Sequence, residues 1–298
     1  MTGTQPGPPR MDGPPLFSFP DQATPHHESQ LSLTRLRLDL GYDGTDFSGW
    51  AAQPGRRTVQ GELEEALSRV LREPATLTVA GRTDAGVHAT GQVAHLDVAA
   101  PAWDVLGESL LRRLAGVLPA DIRVHSIAPA AAGFDARFGA IWRRYGYRIA
   151  DSRWGVQPLR RRDTLATLRP LDDVAMAAAA ARLLGEHDFA AFCRRREGAT
   201  TIRELQRLDV ERSDDIITVT ARADAFCHSM VRSIVGALLA VGEGRKDTNW
   251  PSGLLPCRER VSGVAVAPAH GLTLLEVGYP PDAELAARAG QTRRRRDR

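Results

Sequence analysis

The sequence predicts an α+β fold, and three patterns carry that reading. Apolar and polar residues alternate in several short runs, as half-buried strands require. Two stretches between those runs instead place apolar residues at helical spacing. A tight turn, Ser213-Asp214-Asp215, separates two alternating runs as a hairpin would. Local hairpins with helices laid on one side form an α+β layer, not a doubly wound parallel sheet.

Taken in order, residues 1–30 are rich in Pro, Gly and polar residues without periodicity, and they read as a disordered tail. LSLTRLRLDL (31–40) sets Leu36, Leu38 and Leu40 against Arg35, Arg37 and Asp39, as a half-buried strand does. A loop with two adjacent arginines, Arg56 and Arg57, leads to Thr58 as the cap of a helix through Val59, Leu63, Leu67 and Leu71. Asp104 can cap a second helix with Leu106, Leu110, Leu114 and Val117 on one stripe. Strands are expected at 121–129 and 142–149, the latter setting Tyr145, Tyr147 and Ile149 opposite Arg144 and Arg148. The first half thus spans 31–150. Residues 151–171 read as a linker, with the run Arg160-Arg161-Arg162. The second half, 151–281, adds an Ala-rich helix from about Asp172, the hairpin 205–223, an apolar helix over 229–241 and a last strand at 272–279.

The 298 residues include 43% hydrophobic and 25% charged ones, an ordinary globular balance. No apolar run reaches the length of a membrane span, so no membrane association is expected. The three cysteines, Cys193, Cys227 and Cys257, are far apart and contain no CxxC; they read as small core residues of a reducing, cytoplasmic protein, not as a disulfide framework or zinc site. Net charge is +3, and the basic tail 282–298 carries that whole surplus, so the remainder sums to zero. Affinity for a polyanion must then come from how charge is arranged on the body. The tail itself is either a solvated end or an electrostatic tether.

The stretch LTVAGRTDAGVHATGQVAHLDV (77–98) organises the rest. A short β-prone run ends at Ala80, the loop GRTDAGVHATG comes next, and a strand resumes at Gln92. Glycines there let the backbone turn sharply and let another molecule approach. Asp84 alone could be a turn residue. With Arg82 two positions away, where a guanidinium would hold a carboxylate ionised, it reads as the reactive group of an enzyme. His88, His95 and His228 match no metal-ligand spacing and read as structural. Tyr145 is open between core packing and an aromatic platform.

GRTDAGVHATGQV resembles the catalytic signature of the tRNA pseudouridine synthase A family. YDGTDFSGW with TVQGELEEAL (42–67), FDARFGAIWRRYGYRI (134–149), FCHSMVRSIVGALLAVGEG (226–244) and PAHGLTLLEVGYP (268–280) agree in the same order. The resemblance implies two ferredoxin-like halves joined into one large, mostly antiparallel sheet with the cleft between them. It implies isomerisation of uridine at positions 38–40 of the tRNA anticodon stem-loop, by homodimers in which one tRNA touches both subunits.

Residue by residue, the resemblance makes Asp84 the nucleophile and Arg232, of the HxMVR motif, its charge partner. Tyr145 becomes the platform that stacks on the target base, and Arg82 helps hold the RNA in its flipped state. Leu274, in the GLxL segment, lines the cleft floor or simply packs in the core. Arg137, with Arg143, Arg144, Arg56 and Arg57, is a candidate for phosphate contacts. A carboxylate can attack the base at C6 or the sugar at C1′, and neither route needs a metal or an organic cofactor. Two rivals remain. A non-catalytic RNA-binding module would have no reason to keep Asp84, Tyr145 and Arg232 together. A glycoside hydrolase needs a second carboxylate beside the first, and the loop 81–96 holds only Asp84.

Overall fold

The computed structural model describes residues 1–3, 7, 32–194 and 200–296, with side chains through 293. The expected N-terminal tail, apart from 1–3 and 7, lies outside the described residues, as do Arg195 and Arg196. The first elements are β1 (Leu33–Tyr42), α1 (Val59–Leu71), β2 (Thr78–Val79), β3 (His88–Ala99), α2 (Ala100–Leu106), α3 (Ser109–Val117) and β4 (Ile122–Pro129). The alternation in β1 is realised: Leu36, Leu38 and Leu40 are fully buried. Each contributes roughly 1.5–3 kcal/mol relative to exposure. On the other face Arg35 pairs with Asp97 and Arg37 with Asp39, each at 2.7 Å. Thr58 caps α1 by accepting from the Gly61 amide at 3.2 Å.

The single helix expected after Asp104 is instead two. Asp104 lies inside α2, and Gly107, at φ +45°, breaks the chain before α3 starts. Strand β3 also begins four residues earlier than expected, at His88, which shortens the loop around Asp84.

The chain continues through β5 (Trp142–Ala150), β6 (Leu165–Ala166), α4 (Asp173–Ala181), β7 (Gly185–Asp188), β8 (Ile202–Ser213), β9 (Ile216–Ala223), α5 (Met230–Gly242), α6 (Trp250–Gly253), β10 (Leu272–Gly278) and α7 (Leu285–Arg296). The fold is a mixed α+β arrangement around one ten-stranded sheet in the order β4-β1-β3-β10-β5-β9-β8-β7, with β2 on β3 and β6 on β5. Its pairings are antiparallel except β10 with β3 and β5 with β6. Strand β10 occupies the middle. It runs parallel to β3 through Thr273↔His88 and Leu274↔Ala89, and antiparallel to β5 from Leu272↔Tyr147 to Gly278↔Trp142.

Two apolar cores flank that seam. One gathers Leu63 and Leu67 of α1, Leu110 and Leu114 of α3 and the inward leucines of β1. The other gathers Met176 of α4, Ile234 and Leu238 of α5, Val219 of β9, and Tyr147 and Ile149 of β5. Sequence periodicity places no element at β7, α6 or α7. Helix α7 buries Leu285 and Ala289, and Arg293 holds the buried Asp135 at 2.6 Å.

Candidate active site

The loop between β2 and β3 carries Asp84, and its neighbours are tied down one by one. Arg143 of β5 donates to the carbonyl oxygens of Ala80 and Asp224, each at 2.9 Å. Gln92, fully buried on β3, donates to the Gly81 carbonyl at 2.9 Å and to the Tyr42 hydroxyl at 3.3 Å. The Tyr42 and Thr83 hydroxyls lie 2.7 Å apart. Burial pushes the Tyr42 phenol up to about 12, so it remains a neutral hydrogen-bonding group. The Trp50 amide donates to the Thr83 carbonyl at 3.1 Å, and the Val87 amide closes the turn onto the Asp84 carbonyl at 3.2 Å. Gly49, at φ +96°, lies so close that a Cβ there would press on the Thr83 carbonyl oxygen and the Asp84 backbone.

So mounted, the Asp84 side chain is 31% exposed at one wall of a cleft of about 510 Å³. The opposite wall comes from the start of α5 and the turn before it. His228 Nε2 stands 3.3 Å from Asp84 Oδ1, and Arg232 Nη1 stands 3.8 Å from Oδ2. Arg232 is steered by its own Nε, which donates to the Ala267 carbonyl at 2.7 Å. That carbonyl can reach α5 because position 236 is glycine; a Cβ there would collide with the Ala265 carbonyl oxygen. The facing groups set a guanidinium opposite one oxygen of Asp84 and an imidazole nitrogen opposite the other.

The structure brings Asp84, Arg82 and Arg232 to the same cleft. Arg82 is exposed on its rim, and the guanidinium facing Asp84 is that of Arg232 from across the cleft, not Arg82 two residues away. Tyr145 sits on β5 between Ala221 and Leu274, with the Phe226 ring edge-on at 5.2 Å and 90°. Burial raises its phenol well above the ordinary value, the Tyr42 hydroxyl adding to the rise. Leu274 is completely buried beside Tyr145, so it backs the ring and does not line the opening.

Arg137 is exposed but lies outside the cleft lining, with its guanidinium 5.3 Å from the Phe138 ring. Three of the arginines read as phosphate contacts are engaged by protein acceptors. Arg57 bonds both oxygens of Asp121, Arg144 pairs with Glu276, and Arg143 holds the carbonyls of Ala80 and Asp224. A second hollow of about 330 Å³ is lined by Arg37, Phe134, Tyr279 and Leu285, and of its two acidic residues, Asp39 and Asp282, the first is already paired with Arg37.

The structure corrects two further sequence readings. His88 and His95 are structural, each accepting a backbone amide at Nδ1 (from Gly44 and Ala136, both at 3.0 Å), but His228 faces Asp84. Cys193 and Cys227 form a disulfide with Cα atoms 5.8 Å apart, and Cys257 is exposed. Their 34-residue separation hides the fact that the 190–194 turn meets the chain entering α5. His228 can be found from the same run that carries Arg232, since HSMVR places it four residues earlier, in the turn just ahead of the helix.

Comparison with known proteins adds an independent line. The family model described as tRNA pseudouridine synthase matches residues 41–139 and 179–280. The chain is 64% identical over 263 residues to the tRNA pseudouridine synthase A of Frankia casuarinae, covering 88% of this chain and 95% of that one. It is 57% identical over 277 residues to the protein of that name from Streptomyces griseus, covering 92% and 95%. To the one from Mycobacterium leprae it is 55% identical over 270 residues, covering 87% and 94%. The matched segments contain the Asp84 loop, the Arg232 helix and the central strand that joins the two cores, and this chain belongs to the tRNA pseudouridine synthase family.

Proposed function

We propose that this chain isomerises uridine to pseudouridine in tRNA, at positions 38–40 of the anticodon stem-loop, with Asp84 as nucleophile. The observation that carries the reading is a partly exposed carboxylate on a braced loop, faced across a cleft by Arg232 and His228. The reaction breaks the N1–C1′ bond, forms a C5–C1′ bond, and moves one proton from C5 to N1, so no atom is gained or lost. A carboxylate attacking C6 or C1′ divides that change into two smaller steps. Arg232 sets its guanidinium against the attacking carboxylate, and Tyr145 supplies the aromatic face that a base taken out of its stack requires. Arg82, exposed on the rim, helps hold the RNA in its flipped state, and Arg137, exposed outside the cleft lining, contacts a phosphate.

The proposal includes the homodimer with one tRNA across both subunits, and a cytoplasmic setting that rests on the tRNA substrate, since the Cys193–Cys227 disulfide removes the cysteine argument for it. Among the described residues no helix is long and apolar enough to cross a membrane. The test is incubation of the purified protein with unmodified tRNA transcripts, then mapping of pseudouridine by position. Product at 38, 39 or 40 is expected; product only elsewhere, or none from any tRNA, refutes the assignment. Mass measurement of the free protein and of its tRNA complex checks the dimer.

A further inference from the structure

We propose that His228 is a positioning residue for the nucleophile, with its orientation set by a strained Ser229; the proposal rests on the assignment of Asp84 as nucleophile. Ser229 is the first observation. It stands at the N-cap of α5, where a serine ordinarily bonds an amide of the first helical turn, yet its side chain makes no capping bond. Its backbone is left-handed, at φ +65°, a conformation that costs a non-glycine residue free energy and is kept where surrounding structure demands it. The hydroxyl turns instead toward the preceding side chain, with Oγ 3.4 Å from His228 Nδ1.

The consequence lies on the other side of the ring. A hydroxyl donating to Nδ1 leaves the ring proton on Nε2, the nitrogen 3.3 Å from Asp84 Oδ1. The imidazole then presents Nε2 to one carboxylate oxygen at 3.3 Å while Arg232 faces the other at 3.8 Å, and contacts on both oxygens oppose rotation of the carboxylate about its last bond. The backbone of the histidine is fixed as well, because the Arg194 amide donates to the His228 carbonyl at 3.0 Å. Holding a nucleophile in its attacking orientation acts on the chemical step more than on substrate affinity.

Three variants test this by single-turnover rates at saturating enzyme, tRNA affinity and thermal melting. His228→Leu is expected to slow the chemical step about 10- to 100-fold, the rate equivalent of one hydrogen bond to a charged group, with affinity unchanged. His228→Gln, whose amide nitrogen reaches where Nε2 stood, is expected to recover most of that loss. Ser229→Gly accepts the left-handed backbone without strain, so it should melt at or above the wild-type temperature while reacting more slowly. A His228→Leu rate within about twofold of wild type overturns the proposal, as does a Gln variant no faster than Leu or a loss confined to affinity. A Ser229→Gly enzyme at full speed overturns the role given to the serine. If wild-type protein makes no pseudouridine at all, it is the underlying reading that fails.

Discussion

Asp84 and Arg232 meet across the cleft from segments far apart in the chain, and each depends on a different kind of bond. Asp84→Asn keeps the shape of the loop, because the braces act on Ala80, Gly81, Thr83 and Val87 and not on the carboxylate. Folding and tRNA binding should therefore survive while turnover falls by orders of magnitude, since an amide is no nucleophile. Pseudouridine formed by a contaminant-free Asn variant would end the mechanism. Arg232 engages two partners with one guanidinium, Nε on the Ala267 carbonyl and Nη1 toward Asp84. A lysine has one nitrogen and cannot do both. Arg232→Lys should accordingly resemble Arg232→Met in its rate more than it resembles wild type; near-complete rescue by lysine would show that charge alone suffices. Tyr145→Phe preserves the ring and its edge contact with Phe226, whereas Tyr145→Leu does not. Stacking predicts an active Phe variant and an inactive Leu one. Failure of both would assign the work to the hydroxyl, and equal wild-type rates would leave only packing.

At the scale of elements, the linker after β5 is fastened by Asp151, whose side chain is only 8% exposed. Both its oxygens accept from Arg212 of β8 at 2.9 Å, and Arg212 also bonds Asp173 at the start of α4. The Arg212 hydrogen bonds hold the Asp151 carboxyl below its ordinary 3.8 despite burial. A carboxyl depressed in the folded state stabilises above the unfolded value and ceases to do so as pH falls through the folded one. Asp151→Asn should thus cost about 1.5–3 kcal/mol near neutrality, the scale of hydrogen bonds to a charged group. Urea melts should show that gap closing below pH 3.8, where wild type protonates toward the same neutral state. A gap independent of pH would mean that Asp151 acts by shape.

This element also marks where the sequence stops being legible. Local pattern is enough for β1, α1 and β9, each of which buries one face at its own period, and for α5, whose apolar run is buried nearly all round. It is silent on long-range partners. Nothing in the letters of Asp151 names Arg212, nothing near Cys193 names Cys227, and the histidine opposite Asp84 looks like the two that merely bind backbone amides. The break at Gly107 is hidden because the leucine stripe runs on across it. The proposed nucleophile is legible, since an Asp among glycines is a local pattern.

The whole molecule is joined by its last strand, for β10 lies between β3 and β5 and contributes Leu274 to one core and Leu272 to the other. The C-terminal segment after β10 therefore leaves from the middle of the fold. Helix α7 runs back over the 131–140 loop, with Leu285 buried and Arg293 on Asp135, and that loop is tied through the Arg137 carbonyl to Arg143, which also holds the root of the Asp84 loop. The chain's whole positive surplus is therefore on a segment that begins as a docked helix, not as a free end. For an enzyme that binds tRNA this makes a specific demand through counterion release. Replacing Arg294, Arg295 and Arg296 by Gln leaves Leu285, Ala289 and Arg293 in place, so the helix should stay docked. Affinity for tRNA should fall at low salt, and the slope of log affinity against log salt should flatten by about 0.7–0.9 for each phosphate no longer neutralised. The rate at saturating tRNA and the positions modified should not change, because the cleft is lined by residues from elsewhere in the chain. Removing 285–298 outright should flatten the slope at least as much and should also destabilise the fold, since it strips Asp135 of its arginine and uncovers the Leu285 site. A triple variant with the wild-type salt slope would show that these arginines touch no phosphate; one that modified different uridines would show that they read RNA.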